Sequence, residues 1–243
     1  MALPPTIEVR LVDKRQLTPA VRELTFERTD GATFAFEAGQ WVSLILPHPD
    51  GELRRAYSVA SPPFGTPRFE VAITQVEGGP GSTFLHDLPL GATLTAVGPQ
   101  GFFTRPFHKS GPSLFVATGT GITPLRSMIR NAVSAGSVMP LWLVAGVRTE
   151  GDIIYRDELE SLAQANPHVR VEFTLSRPGV EWVGRRGYVQ THVKELWGEL
   201  GGLGLGPQHA YICGLQKMVG AVRELLRKEM GVPREQVHAE RYD

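Results

Sequence analysis

The sequence predicts two domains in series, an antiparallel β-barrel followed by an α/β domain built on a parallel sheet. Three observations carry this. Up to about residue 100 the chain shows short strand-like runs split by Gly, Pro and Asp, the pattern of a small barrel. From Ser113 onward strand patterns alternate with helical ones, which argues for parallel strands with right-handed crossovers. Between them Thr104–Pro112, polar and rich in Pro and Gly, reads as a connector, so the boundary is set at 106/107.

The strands of the first half are expected at Val21–Arg28, Trp41–Leu46, Arg55–Ala60, Phe69–Thr74 and Thr93–Val97. Turn chemistry such as Pro47-His48-Pro49-Asp50-Gly51 and Ser61-Pro62-Pro63 separates them, and a short helix is expected near Ser82–Leu88. In the second half the expected pairs are strand Ser113–Ala117 with helix Pro124–Ser134, and strand Leu141–Val147 with helix Asp157–Ala165. Strand Val169–Leu175 then leads to helix Val189–Leu200, and strand Ala210–Cys213 to helix Gln216–Met230, before a last strand, Gln236–Tyr242. In such sheets ligands bind at the C-terminal ends of the strands. Thr118–Thr123, Val147-Arg148, Ser176-Arg177 and Cys213-Gly214 all fall there.

The 243 residues, 42% hydrophobic and 21% charged, describe an ordinary globular chain. Twenty-five Lys and Arg balance twenty-five Asp and Glu, which lacks the basic footprint of a nucleic-acid binder. No apolar run approaches the roughly 18 residues of a membrane span. The start, Met1-Ala2-Leu3-Pro4-Pro5, lacks a signal-peptide core, so a cytoplasmic location is expected. One cysteine, Cys213, excludes an internal disulfide and a cysteine-ligated iron–sulfur cluster within this chain. The seven histidines show no zinc-ligand spacing, so no metal is expected.

Three stretches carry chemistry. Thr118-Gly119-Thr120-Gly121-Ile122-Thr123-Pro124 joins a buried strand to a helix. Glycines without Cβ and the free N–H groups of the helix start suit a diphosphate; a tight strand-to-helix turn needs the same residues. Arg55-Ala56-Tyr57-Ser58 offers a diphosphate-gripping guanidinium, a flat phenol and a hydroxyl, or alternatively a core-facing tyrosine beside a solvated arginine. Gly78-Gly79-Pro80-Gly81-Ser82-Thr83 is either a phosphate loop or a hairpin loop with a helix cap.

Taken in order and spacing, Arg55–Ser58, Gly81–Thr83, Gly119–Pro124 and Cys213-Gly214 resemble the ferredoxin–NADP reductase superfamily over nearly the whole chain. Ala38-Gly39-Gln40-Trp41-Val42 and Gly98-Pro99-Gln100-Gly101 support the match. The resemblance implies a Greek-key, flavin-binding barrel and a Rossmann-like nicotinamide-nucleotide domain. It implies that Arg55 contacts the FAD diphosphate, Ala56 and Tyr57 lie at the isoalloxazine, and Ser58 hydrogen-bonds near flavin N5. Ala72 and Thr74 would run beside the ribityl and adenosine portion, and Gly81, Ser82 and Thr83 would complete the diphosphate cradle. Two gripping sites suit FAD better than FMN.

For the second nucleotide, the resemblance assigns Gly119, Thr120, Gly121, Thr123 and Pro124 to the NAD(P)H diphosphate, with Thr120 touching the flavin as well. Ser176, Arg177 and Arg186 would clamp the adenosine 2′-phosphate with Tyr188 stacking on adenine, which favours NADPH over NADH, and Arg148 is counted among the NADP-binding residues from its place at a strand end. Arg185 and Arg186 have a second reading as a solvated loop. Cys213 and Gly214 would sit at nicotinamide C4, with Ser58, Cys213 and Glu240 as the catalytic set. Tyr242 would stack on the flavin and swing aside, although Asp243 stands where the plant-type tail ends in tyrosine; a frayed terminus is the alternative. The implied reaction takes hydride from NADPH to FAD, then passes single electrons to a protein acceptor such as ferredoxin or flavodoxin. The alternatives are an NADH-linked reductase component of an oxygenase, and an electron-transfer subunit of a larger complex.

Overall fold

The computed structural model describes residues 4–106 and 111–242. The middle of the expected connector, with the 106/107 boundary, and the terminal Asp243 lie outside the described residues. The chain divides into two compact units. One runs to Thr104 and takes in Arg126–Asn131; the other holds Arg105–Leu125 and the chain from Ala132.

The first unit is a six-stranded antiparallel sheet of β1 (Thr6–Thr18), β2 (Val21–Arg28), β3 (Trp41–His48), β4 (Gly51–Ser58), β5 (Arg68–Thr74) and β6 (Thr93–Gln100), in the order β4-β3-β6-β1-β2-β5. Helix α1 (Pro80–Asp87) follows β5. The two edges meet where the Ala60 N–H donates to the Glu70 carbonyl at 2.7 Å, which curls the sheet toward a barrel. Alternating residues fill its inside: Val9 and Leu11, Leu24 and Phe26, Val42, Leu44 and Leu46, Val71 and Ile73 are all buried in one cluster. Arg126, only 1% exposed, donates to the Glu70 carboxylate at 2.7 Å and the Ala60 carbonyl at 2.9 Å, with Glu23 at 3.7 Å. A buried cation needs such partners.

The second unit is an all-parallel sheet of β7 (Ser113–Thr118), β8 (Leu141–Val147), β9 (Val169–Leu175), β10 (Arg185–Arg186), β11 (His209–Leu215) and β12 (Val237–Tyr242). Their order is β10-β9-β8-β7-β11-β12. Helices α2 (Ile122–Ser134), α3 (Arg156–Ala165), α4 (Gln190–Gly202) and α5 (Gln216–Glu224) make the crossovers, and α5 runs on into a π-helical turn, Leu225–Glu229. The central strand β7 is buried from Ser113 to Ala117, the continuous apolar run that a strand covered on both faces requires. Leu114, Val116 and Ile212 pack with Val193 and Leu196 of α4 and Val219 and Val222 of α5. The strand order reverses between β7 and β11, and open sheets take ligands at that switch point. No helix among the described residues is long and apolar enough to cross a membrane.

Besides shifts of a few residues at other element ends and the unexpected two-residue strand β10, two differences from expectation stand out. The strand expected at Arg55–Ala60 runs from Gly51 to Ser58, because as an edge strand it leaves most of its residues exposed and offers little apolar pattern. The first strand, β1, escapes sequence reading altogether. Its pairing with β2 is interrupted between Leu11 and Asp13 and again between Gln16 and Thr18, which breaks the period-two pattern.

Candidate functional site

In the first unit, Leu53, Arg55 and Tyr57 alternate along one face of β4. Leu53 and Tyr57 pack on the barrel core, while Arg55 stays exposed between them. Burial pushes the Tyr57 phenol up to about 12 against the opposing pull of Arg55, so it is neutral at any working pH. Ala56 is exposed, and Ser58, opposite Trp41 in the ladder, is buried. A Cβ on Gly81 would stand 3.1 Å from Arg55 Cγ and 3.3 Å from its Nε. The absence of that Cβ brings the start of α1 against the arginine.

Helix α1 has Pro80 at its beginning, no side-chain cap and no acid in its first turn, so its N-terminal N–H groups and Arg55 lie together in an arrangement that suits an anion. The Ser82 hydroxyl is already committed: it accepts from Val76 N–H at 3.0 Å and donates to the Gly79 carbonyl at 3.1 Å. Ser82 therefore braces the loop, and Thr83 beside it is exposed. On β5, Val71 and Ile73 point into the core, which turns Ala72 and the exposed Thr74 to the opposite face. The residues present fit a dinucleotide's flavin and diphosphate.

In the second unit the switch point is built by interlocking glycines. A Cβ on Gly121 would lie 2.3 Å from the Cys213 carbonyl oxygen, and one on Gly214 would lie 2.2 Å from Thr118 Oγ1. That Thr118 hydroxyl accepts the Leu215 N–H at 3.1 Å. Gly119 differs: it is exposed at φ +54°, and no heavy atom stands within 4 Å of a Cβ built there. Gly119 thus leaves backbone open to a nucleotide, whereas Gly121 is demanded by β11. Thr120 is half-buried and Pro124 buried; the Thr123 hydroxyl donates to the Thr120 carbonyl at 2.8 Å, which tightens the turn.

The parallel register sets Cys213 beside Glu240 and Leu215 beside Tyr242. Burial pushes the Cys213 thiol well up, the Glu240 charge adds to this, and the Tyr242 hydroxyl opposes it. The thiol is neutral, and not the thiolate of a nucleophile. The Tyr242 hydroxyl also lies 3.3 Å from that of Thr123.

Away from the switch point, Arg148 and Arg177 stand exposed at the ends of β8 and β9, and the Arg177 N–H donates to the Arg148 carbonyl at 2.8 Å. Among the described residues neither arginine has an ion-pair partner. Ser176 N–H donates to the Val147 carbonyl at 3.0 Å, and Tyr188 is 67% exposed. The adjacent arginines of β10 part company. Arg185 is paired with Glu172 and, bidentately, with Glu195 at 2.9 and 3.0 Å; Arg186 is exposed. Sequence reading missed Trp182, buried under the segment that carries both. A lone tryptophan between Val180 and Val183 was the available signal.

Comparisons with known proteins agree with this geometry. The family model "Oxidoreductase FAD-binding domain" matches residues 8–104, and "Oxidoreductase NAD-binding domain" matches residues 115–224. Ferredoxin--NADP reductase B of Sorangium cellulosum is 61% identical over 237 residues, 97% of each chain. The glycine betaine monooxygenase reductase subunit of Pseudomonas aeruginosa is 33% identical over 90% of this chain, which spans only 60% of that protein. Among solved structures, a ferredoxin NADP+ reductase from Neisseria gonorrhoeae with bound FAD and NADP shares the fold, with a TM-score of 0.78 at 21% identity over 97% of this chain and 98% of that one. Together these define an oxidoreductase with one FAD-binding and one NAD(P)-binding domain. Within that class, the chain belongs to the ferredoxin–NADP reductase superfamily.

Proposed function

We propose that this chain is an FAD-dependent NADPH reductase that delivers electrons singly to a protein acceptor such as ferredoxin or flavodoxin. The FAD domain covers residues 1–106 and the nicotinamide domain 107–243. The observation that carries the coenzyme choice is the row Arg148, Arg177 and Arg186, exposed at the ends of three adjacent strands with two of its members unpaired among the described residues. A 2′-phosphate is a dianion, and arginine is the side chain best shaped to grip it. The 61% identity to a protein named for NADP supports the same choice. The reading places the enzyme in the cytoplasm, where a lone buried thiol stays reduced.

When bound, the cofactors would supply the redox chemistry, hydride transfer from the nicotinamide to the flavin and release of single electrons to the acceptor. The chain's part is positioning. Arg55 and the N–H groups of Gly81 and Ser82 hold the FAD diphosphate, with Thr83 at its edge. Tyr57 would offer its neutral phenol to the flavin, with Ala56 beside it and Ser58 as a hydrogen-bond donor near N5. Ala72 and Thr74 line the ribityl and adenosine portion.

Gly119, Thr120, Gly121, Thr123 and Pro124 form the backbone cradle of the second diphosphate, with Ser176 and Tyr188 flanking the adenosine. Cys213 and Gly214 shape the place of the nicotinamide ring, and Glu240 holds or moves a proton there. Tyr242 covers that place and swings aside when the nucleotide binds.

Arg177→Ala tests the coenzyme assignment. Losing one charge-assisted pair at about 1.5–2.5 kcal/mol lowers kcat/KM for NADPH roughly ten- to seventyfold, with NADH little changed. Equal rates in wild type and variant with NADPH would sink it. Oxygenase reductase components among the relatives favour a second reading, an NADH-linked component of such a system. An NADH preference in the wild type would select it.

A further inference from the structure

We infer that Trp182 is a positioning residue for coenzyme selectivity, holding the segment between β9 and α4 in the shape that presents Arg186 and Tyr188. The inference rests on the 2′-phosphate reading above. After β9 ends at Leu175, the chain arches away and returns as β10, where Arg185 and Arg186 pair with Thr174 and Leu175. Along the arch Val180 is 92% exposed and Val183 fully exposed, yet Trp182 between them is 8% exposed. An arch that turns its one tryptophan inward and two valines outward is built around that ring.

Each contact of the ring fixes part of the arch. The indole N–H donates to the Arg185 carbonyl at 2.8 Å, and the Trp182 N–H donates to the Gly179 carbonyl at 3.3 Å. The Arg156 guanidinium lies 5.6 Å from the ring centroid, itself held by Glu150 at 2.5 Å and Glu160 at 2.9 Å. A Cβ on Gly184 would stand 2.3 Å from the ring's Cζ2, so the chain closes directly onto the indole.

The result divides the labour between two adjacent arginines. Successive strand residues point to opposite faces. Arg185 goes to Glu172 of β9 and Glu195 of α4, locking the returning strand to the sheet and to the helix. Arg186 goes the other way, and its Nη2 donates to the Trp182 carbonyl at 2.7 Å and weakly to that of Gly179 at 3.4 Å. One end of the guanidinium is anchored on the arch and the rest faces outward. Tethering of this kind removes ordering entropy from the binding step, which raises affinity without adding a contact to the ligand. Trp182 does not touch the nucleotide in this account; it acts through Arg186 and the loop leading to Tyr188.

The test uses the purified holoenzyme, with 2′,5′-ADP and 5′-AMP as calorimetric probes that differ by the 2′-phosphate. Trp182→Leu is expected to weaken 2′,5′-ADP about tenfold and 5′-AMP by less than about twofold. KM for NADPH should rise with kcat nearly unchanged, while NADH kinetics stay put. Trp182→Phe, which keeps a ring under the arch, should restore most of the affinity; a Phe variant as weak as the Leu variant would overturn the inference. It is also overturned if Trp182→Leu leaves 2′,5′-ADP binding intact while Arg186→Ala weakens it, or if both probes weaken equally. If Arg177→Ala and Arg186→Ala both bind 2′,5′-ADP as the wild type does, the 2′-phosphate reading itself fails and takes the inference with it.

Discussion

Gly121→Ala is expected to destabilise the parallel-sheet unit by roughly 3 kcal/mol and to remove nicotinamide-nucleotide binding. The added methyl would meet the Cys213 carbonyl oxygen at 2.3 Å, its carbon at 2.5 Å and Gly214 Cα at 2.6 Å. All three are backbone atoms of the neighbouring strand and its turn, so no side chain can rotate out of the way. Relief requires β11 and the start of α2 to separate, and that movement takes Cys213 and the Thr118 hydroxyl bond to Leu215 with it. Gly119→Ala is the informative companion. Its Cβ meets nothing, so its cost is the left-handed φ of +54°, about 1–2 kcal/mol. The two substitutions should therefore separate in thermal melts followed on this unit, with Gly121→Ala melting well below Gly119→Ala. Nucleotide affinity should fall in both, because Gly119 presents the open backbone and Gly121 holds the strand ends together. Equal melting of the two variants would contradict the interlock.

Arg55→Ala should leave the fold intact and strip the protein of its flavin. The side chain is exposed, and among the described residues its guanidinium donates only to the neighbouring Arg54 carbonyl, at 2.9 Å. Its removal costs the barrel little. A guanidinium on a diphosphate contributes about 2–3 kcal/mol, so FAD affinity should drop roughly thirty- to more than a hundredfold and the protein should purify pale. The test is flavin content by absorbance after desalting, alongside the thermal midpoint of the barrel. Full flavin retention would remove Arg55 from the cradle. A conservative Arg55→Lys should recover part of the affinity, since a lysine supplies the charge without the two-pronged geometry.

How much of this was legible depended on where each residue's partner lies. Strands Leu141–Val147 and Val169–Leu175 have the bounds the sequence predicts, because a buried parallel strand is apolar along its length and needs no partner to be recognised. Strand β1 was not legible, since two register shifts and the polar run Asp13-Lys14-Arg15 hide its alternation. The same divide runs through the site. The glycine motif was found, but the reason for Gly121 is the Cys213 carbonyl, 92 positions away in sequence and adjacent only across the sheet. Arg185 and Arg186 look alike as a dipeptide. Only the strand register and the carboxylates of Glu172 and Glu195 tell the clamp from the reader. Ser82 belongs to the expected diphosphate cradle, but its hydroxyl is taken up by the loop itself.

An anaerobic titration of the purified protein with NADPH, followed in the visible flavin bands, tests the central claim most directly. The account predicts a yellow protein with one FAD per chain, bleached by about one equivalent of NADPH and far more slowly by NADH at the same concentration. A protein that holds no FAD after reconstitution, or a bound flavin that neither nucleotide reduces, would contradict it.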